Sequence, residues 1–230
     1  MGNIVNHYID HELIRQAIDM VTEGRLYECR IINGNRVLSG YFKGADTLIQ
    51  QLGNQYLQGA NVYITLQELH PGLESRLQWE CFMETGKHRL PSTSDSDVIR
   101  YRWLPIDLDP VRPAGISSTR EELEKASDLA YHILAYMQTN YGLRVIKAFS
   151  GNGYHLLFDI TDKNMAAEDV KEILDRLDEL FSNDYVHVDT TVYNPARIFK
   201  LYGTTAQKGR NTVERPHRMA KILGVEVCER

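Results

Sequence analysis

Two aspartates at alternate positions end an apolar run, Leu104-Pro105-Ile106-Asp107-Leu108-Asp109-Pro110. On a strand, side chains two apart point to one face, so both carboxylates would project together from its end. Paired negative charges repel unless a cation lies between them. An all-oxygen pair suits Mg²⁺ or Mn²⁺ bound to a substrate phosphate. The plainer reading is an edge strand with a solvated acidic face; the apolar run leading into the pair, stopped by Pro110, favours a site. A second group is Phe149-Ser150-Gly151-Asn152-Gly153-Tyr154-His155. Two glycines in a strand-to-strand turn let a ligand come close to the backbone. Ser150 and His155 flank that turn, and an imidazole is a sensible donor to a phosphate. Taken alone, the same residues make an ordinary hairpin with a surface histidine.

Asp189 ends another short apolar run, Val186-His187-Val188. Alone it reads as a cap or turn residue; with Asp107 and Asp109 it would complete the ligand set of a two-metal centre. Downstream, Arg197 and Lys200 are spaced to reach a triphosphate, arginine through bidentate contacts and lysine as a point charge. From Pro195 to Lys221 there are seven basic residues and one acid, a local +6 in a chain of net −5, so the remainder carries −11. The overall charge argues against a protein that coats nucleic acid. A basic segment in an acidic chain points to a specific anion, either a polyphosphate or a short stretch of backbone.

The elements that must position these residues follow from patterning. Leu13, Ile14, Ala17, Ile18 and Val21 recur at helical spacing behind Asp10, an N-cap. Runs at 26–32 and 37–42 flank Asn33-Gly34-Asn35, a hairpin signal. A short helix at 46–56 and a strand at 62–66 follow. The polar stretch 84–97 reads as an exposed, mobile loop. A strand is expected over 99–109. Thr119 with Glu122 forms a capping box for a helix with Leu123, Ala126, Ala130, Ile133, Met137 and Tyr141 on its apolar face, stopped by Gly142. Strands at 145–149 and 154–158 precede a helix with Val170, Ile173, Leu174, Leu177, Leu180 and Phe181 on one stripe. Strands at 186–188 and 198–202 complete the set. This order predicts an α+β protein with an antiparallel or mixed sheet backed by helices, like an RNA-recognition fold.

The 230 residues are 43% hydrophobic and 25% charged, which excludes disordered and fibrous classes. No apolar run approaches the ~18 residues of a membrane span. The first residues lack a signal peptide's basic and apolar regions, and Gly2 makes no myristoylation site because position 6 is Asn. Cys29, Cys81 and Cys228 are scattered and odd in number, so a reduced, cytoplasmic protein without disulfides is expected. His70, Cys81 and His88 lack the paired spacing of a zinc knuckle, and zinc is not expected.

Together the four constellations resemble the archaeo-eukaryotic primase superfamily, in its phage, plasmid and CRISPR-associated primase-polymerase branch. The family's Asp-x-Asp/Glu motif matches Asp107/Asp109, its Ser-to-His motif matches Ser150–His155, and its apolar-Asp motif matches Val188-Asp189, in that order. Asn194 to Thr204 and Arg215 to Arg218 also look like the mobile-element branch. The resemblance is strong over about 103–223 and weak before it. It implies a two-module core: an N-terminal α/β module at about 1–98 and an RNA-recognition-like catalytic module at 99–223, with the active site between them. It also implies template-directed nucleotidyl transfer, with primers made and extended on single-stranded DNA from dNTPs or NTPs. Asp107, Asp109 and Asp189 would hold two divalent ions, and Ser150, Asn152, His155, Arg197, Lys200 and Lys208 would bind the nucleotide. Relatives often continue into a helicase.

Three other readings compete. A haloacid-dehalogenase-like phosphatase would share Asp107-Leu108-Asp109 but needs a later Gly-Asp dipeptide, and the chain has none. A non-catalytic RNA-recognition module should show aromatic strands and a basic face, not a strand ending in two acids. A repair-type polymerase that extends without initiating is the runner-up within the family.

Overall fold

The structure is a computed structural model that describes residues 8–86 and 90–227. His88 and Cys228 lie outside the described residues. The chain begins with α1 (His11–Thr22), where the Asp10 carboxylate accepts from the N–H groups of Glu12 and Leu13. Its expected apolar face is buried at Ile14, Ala17, Ile18 and Val21. The hairpin follows as β1 (Tyr27–Asn33) and β2 (Arg36–Phe42), with Asn33 paired to Arg36 and Gly34 at φ +57 in the two-residue loop. Next come α2 (Ala45–Gly53), β3 (Asn61–Thr65), β4 (Glu68–Leu69), β5 (Met83–Thr85) and β6 (Val98–Arg100). The second half contains β7 (Trp103–Pro110), α3 (Arg120–Tyr141), β8 (Val145–Phe149), β9 (Tyr154–Asp159), α4 (Ala167–Phe181) and β10 (Val186–Val188). It ends with β11 (Ile198–Lys200), β12 (Thr205–Ala206), β13 (Arg218–Met219) and β14 (Lys221–Glu226).

Two five-stranded sheets form, in the orders β11-β3-β1-β2-β5 and β10-β7-β9-β8-β14, and every pairing in them is antiparallel. The fold is therefore α+β. The helices α3 and α4 lie side by side against the second sheet, and one continuous apolar core joins both sheets. Although it comes late in the chain, β11 pairs with β3 and forms an edge of the first sheet. No helix among the described residues is long and apolar enough to cross a membrane.

The expected strand over 99–109 is two strands. The backbone N–H groups of Arg102 and Trp103 donate to Gln67 Oε1 at 2.8 and 3.1 Å, which interrupts the ladder and moves the chain from β4 to β9. The Trp103 indole N–H and the buried Arg102 guanidinium both donate to the Val21 carbonyl, so this corner bolts the second sheet to α1. The capping box Thr119–Glu122 and the left-handed Gly142 bound α3 as its sequence predicts. Tyr141 and Leu180, placed on apolar faces, are instead exposed at the helix ends. Of the stretch 84–97 the described residues are 84–86 and 90–97, and Thr93 and Asp97 among them are anchored. Thr93 is buried, its N–H donating to Glu28 Oε2 and its hydroxyl bonding Tyr41, and Asp97 makes a two-point pair with Arg76. Polar composition does not distinguish a solvated loop from one pinned by a buried carboxylate.

Candidate active site

Strand alternation turns Ile106 and Leu108 into the core and leaves Asp107 and Asp109 on the opposite face. There they line a cleft together with Asp189, Ser150, Asn152, His155, Arg197, Lys200 and Lys208. All nine candidate residues thus reach one space, between the end of β7 and the β3–β11 edge of the first sheet. Asn61 and Tyr63 add walls from β3, which carried no chemical signal in the sequence, and Val192 and Phe199 add apolar wall beside the expected residues.

Asp189 follows β10, and its N–H donates to the Asp107 carbonyl at 2.9 Å. Its Oδ1 accepts from the Thr191 N–H (2.8 Å) and hydroxyl (2.7 Å), capping a short 3₁₀ turn. Its Oδ2 has no partner among the described residues. The plain cap reading holds for Oδ1, and Oδ2 is left over on the cleft side of the same residue.

The glycines of the 150–154 turn serve the protein's own packing. A Cβ on Gly153 would lie 2.3 Å from the Leu108 carbonyl and 2.9 Å from Asp109 Oδ1, and one on Gly151, at φ +96, 2.4 Å from Ala206 Cβ. The close approach expected of a ligand is made by β7 and β12. Asn152 is buried and pins the start of α3: its Oδ1 accepts from the Ser118 N–H at 2.9 Å and its carbonyl from the Ser118 hydroxyl. Its amide nitrogen takes no partner among the described residues. His155 is buried rather than on the surface, with Nδ1 2.9 Å from the Tyr202 hydroxyl, Nε2 3.4 Å from Asp107 Oδ1 and Phe199 edge-on to its ring.

Arg197 sits on a turn that Asp95 holds from outside, accepting from the Ala196 N–H (2.9 Å) and Asn194 Nδ2 (3.3 Å). Its Nη2 donates to the Thr191 carbonyl at 2.5 Å, and its buried Nε has no partner among the described residues. Lys200 is buried and donates to the Thr205 carbonyl at 3.0 Å. Lys208 stands 4.0 Å from Asp109 Oδ2, and Arg112 3.4 Å from Oδ1. Arg112 has no motif around it; only the fold reveals it. Two other basic residues of the cluster are structural. Arg215 pairs with Glu122 through two nitrogens at 2.8 Å and bonds the Ser117 carbonyl, and Arg218 bonds the Ser118 carbonyl.

Electrostatics separate the aspartate pair. Burial works against ionising Asp107, but His155, with Lys208 and Arg112 behind it, outweighs burial and holds its carboxyl below the usual range. Burial and then the Asp107 charge push Asp109 above it, against Arg112 and Lys208. Burial brings Lys200 down to about 7, opposed by Cys29 and aided by Lys208. Burial also raises Tyr202 well above the ordinary phenol value, so it stays protonated.

Among the described residues, no group of three or more His, Cys, Asp or Glu side chains is gathered closely enough to hold a metal ion by itself. Asp107 and Asp109 form a two-carboxylate set of hard oxygens, which fits Mg²⁺ or Mn²⁺ whose other ligands are phosphate oxygens and water.

No family model matches the chain, and no curated protein matches it. Among solved structures it is similar to the primase RepB′, at 12% identity and a TM-score of 0.47, over 92% of this chain and 56% of that one. It is similar to the same extent to the catalytic domain of primase RepB′ in complex with initiator DNA, covering 85% of that chain. The chain thus spans little more than half the length of the first of these.

Proposed function

We propose that the protein is a template-directed nucleotidyltransferase of the archaeo-eukaryotic primase type, which makes primers and extends them on single-stranded DNA. The observation that supports this reading is the shared cleft: three carboxylates on one side, and His155, Arg197, Lys200 and Lys208 around it. Three carboxylates roughly cancel the three cationic side chains, Arg197, Lys200 and Lys208. The charge of a triphosphate would therefore be met by the divalent ions held at the carboxylates, while the basic side chains contact individual phosphate oxygens. Arg197 has a buried donor without an acceptor among the described residues, a state that costs about 1–3 kcal/mol and that a phosphate oxygen relieves once the guanidinium turns.

In this reading Asp107 and Asp109 would hold Mg²⁺ or Mn²⁺, with phosphate oxygens and water as the other ligands. Asp189 lines the same cleft but forms no three-carboxylate group with them among the described residues. Such ions supply charge neutralisation at the polyphosphate and a lowered pKa at the attacking hydroxyl. Ser150, Asn152 and His155 contact the phosphates from β8–β9, and Arg197, Lys200 and Lys208 from the opposite wall. Catalysis of this kind is mainly positioning and charge stabilisation. The runner-up is a polymerase that only extends. The deciding experiment supplies single-stranded template, Mg²⁺ or Mn²⁺ and labelled dNTPs or NTPs, with and without primer. Dinucleotide without primer establishes initiation, extension alone leaves the runner-up, and neither product overturns the reading.

A further inference from the structure

Lys200 is the only buried lysine among the described residues, at 6% exposure. Its Nζ makes one hydrogen bond, to the Thr205 carbonyl, and lies 5.7 Å from the centre of the Tyr63 ring. Among the described residues no carboxylate pairs with it, and two of its N–H bonds have no acceptor. The titratable groups around it are Cys29 on β1, Tyr63 on β3 and Lys208 beyond β12, with Asp107, Asp109, Asp189, His155 and Arg197 along the cleft. Burying an ammonium without a counter-ion is costly. A site that needed only permanent positive charge would be better served by arginine, which stays protonated and grips phosphate at two points. Lysine differs in being able to give its proton away.

We propose that Lys200 is the general acid of the transfer, protonating the departing pyrophosphate; this rests on the nucleotidyl-transfer reading. The attacking 3′-oxygen bonds to the α-phosphorus and loses its proton to solvent. The bond from the α-phosphorus to the bridging oxygen breaks, its electron pair stays on that oxygen, and the oxygen takes a proton from Nζ. The neutral amine regains a proton from water after pyrophosphate leaves. Burial brings Lys200 to about 7, where a proton donor works well near neutral pH.

The test is single-turnover transfer from triphosphates whose β,γ-bridging oxygen is replaced by CH₂, CHF, CF₂ or CCl₂, which grade the basicity of the leaving group. Lys200→Arg, which keeps the charge, is expected to lose roughly 10²–10⁴-fold in rate on the natural triphosphate with little change in triphosphate Kd. That deficit should shrink as the leaving group becomes more acidic. Independently of the variant, the ¹³Cε resonance of Lys200 in the metal-free wild-type protein should titrate near neutrality. An arginine variant at full rate, a deficit equal for all leaving groups, or a Lys200 titration above about 9 overturns the proposal. If the wild-type protein transfers no nucleotide at all, the nucleotidyl-transfer reading fails and the general acid falls with it.

Discussion

Asp107 and His155 stand opposite each other in the β7–β9 ladder, with Nε2 3.4 Å from the carboxylate, while the Tyr202 hydroxyl holds the other ring nitrogen at 2.9 Å. The imidazole is fixed between an anion and a phenol that does not ionise. With the phenol donating to Nδ1, a neutral ring carries its proton on Nε2, toward the cleft carboxylate.

Removing that ring has two separable effects. His155→Ala is expected to weaken triphosphate binding roughly ten- to hundredfold, the loss of one charge-assisted contact of about 1.5–3 kcal/mol, and Arg197→Ala likewise; equilibrium binding measures both. Stability responds with a definite sign. The depressed Asp107 carboxyl contributes stability above its unfolded value of about 3.9, and that contribution is lost as pH falls through the folded value. The stability gap between His155→Ala and wild type in urea should therefore be widest at neutral pH and narrow below about pH 4.

Asp109 has the opposite sign. Its folded carboxyl is raised, so the ionised group subtracts from stability above the unfolded value, and the penalty fades as it is protonated. Asp109→Asn should abolish transfer while leaving the melting temperature unchanged or slightly higher. Loss of fold in this variant would show that the carboxylate is structural.

The basic cluster should divide by function. Arg215→Ala, which removes a two-point pair with Glu122, is expected to lower the urea midpoint while changing triphosphate affinity less than about twofold. Lys208→Ala should do the reverse, lowering affinity with little effect on stability. Equal affinity losses in both would return Arg215 to the nucleotide site.

Gly153→Ala places a Cβ 2.3 Å from the Leu108 carbonyl, a backbone atom that cannot rotate away. Overpacking of this kind costs about 1–3 kcal/mol. Because the same Cβ would press on Asp109, transfer should fall further than stability alone explains. Circular dichroism melts beside rate measurements check the two parts.

The residues at the site were more legible than the elements that complete it. Asp107, Asp109, His155 and Asp189 stand at strand ends, where alternation and a following turn mark them in one dimension. Tyr63, Tyr202 and Arg112 carry no local mark. Tyr63 matters through its pairing with Lys200, 137 residues away, and Tyr202 through a bond to His155, 47 residues away. Arg112 matters only because the turn after β7 folds it back onto Asp109. Gly151 and Gly153 show a different limit: a requirement for no side chain is readable, but what occupies the space is not. The loop before Val98 is mostly exposed, as its composition predicts, but Thr93 is buried in it because it bonds the buried Glu28.

The return of β11 to the first sheet has a consequence for how the gene can be cut. A fragment ending near residue 98 would leave β3 with a bare row of N–H and C=O groups, where Thr65, Ile64 and Tyr63 now meet Ile198, Phe199 and Lys200. An open edge of that kind invites pairing with other chains. The complementary fragment would carry Arg197 and Lys200 on a strand with no sheet to join. Recombination or limited proteolysis between the sheets therefore yields two incomplete pieces, and the first sheet is inheritable only together with the segment that carries Ile198–Lys200.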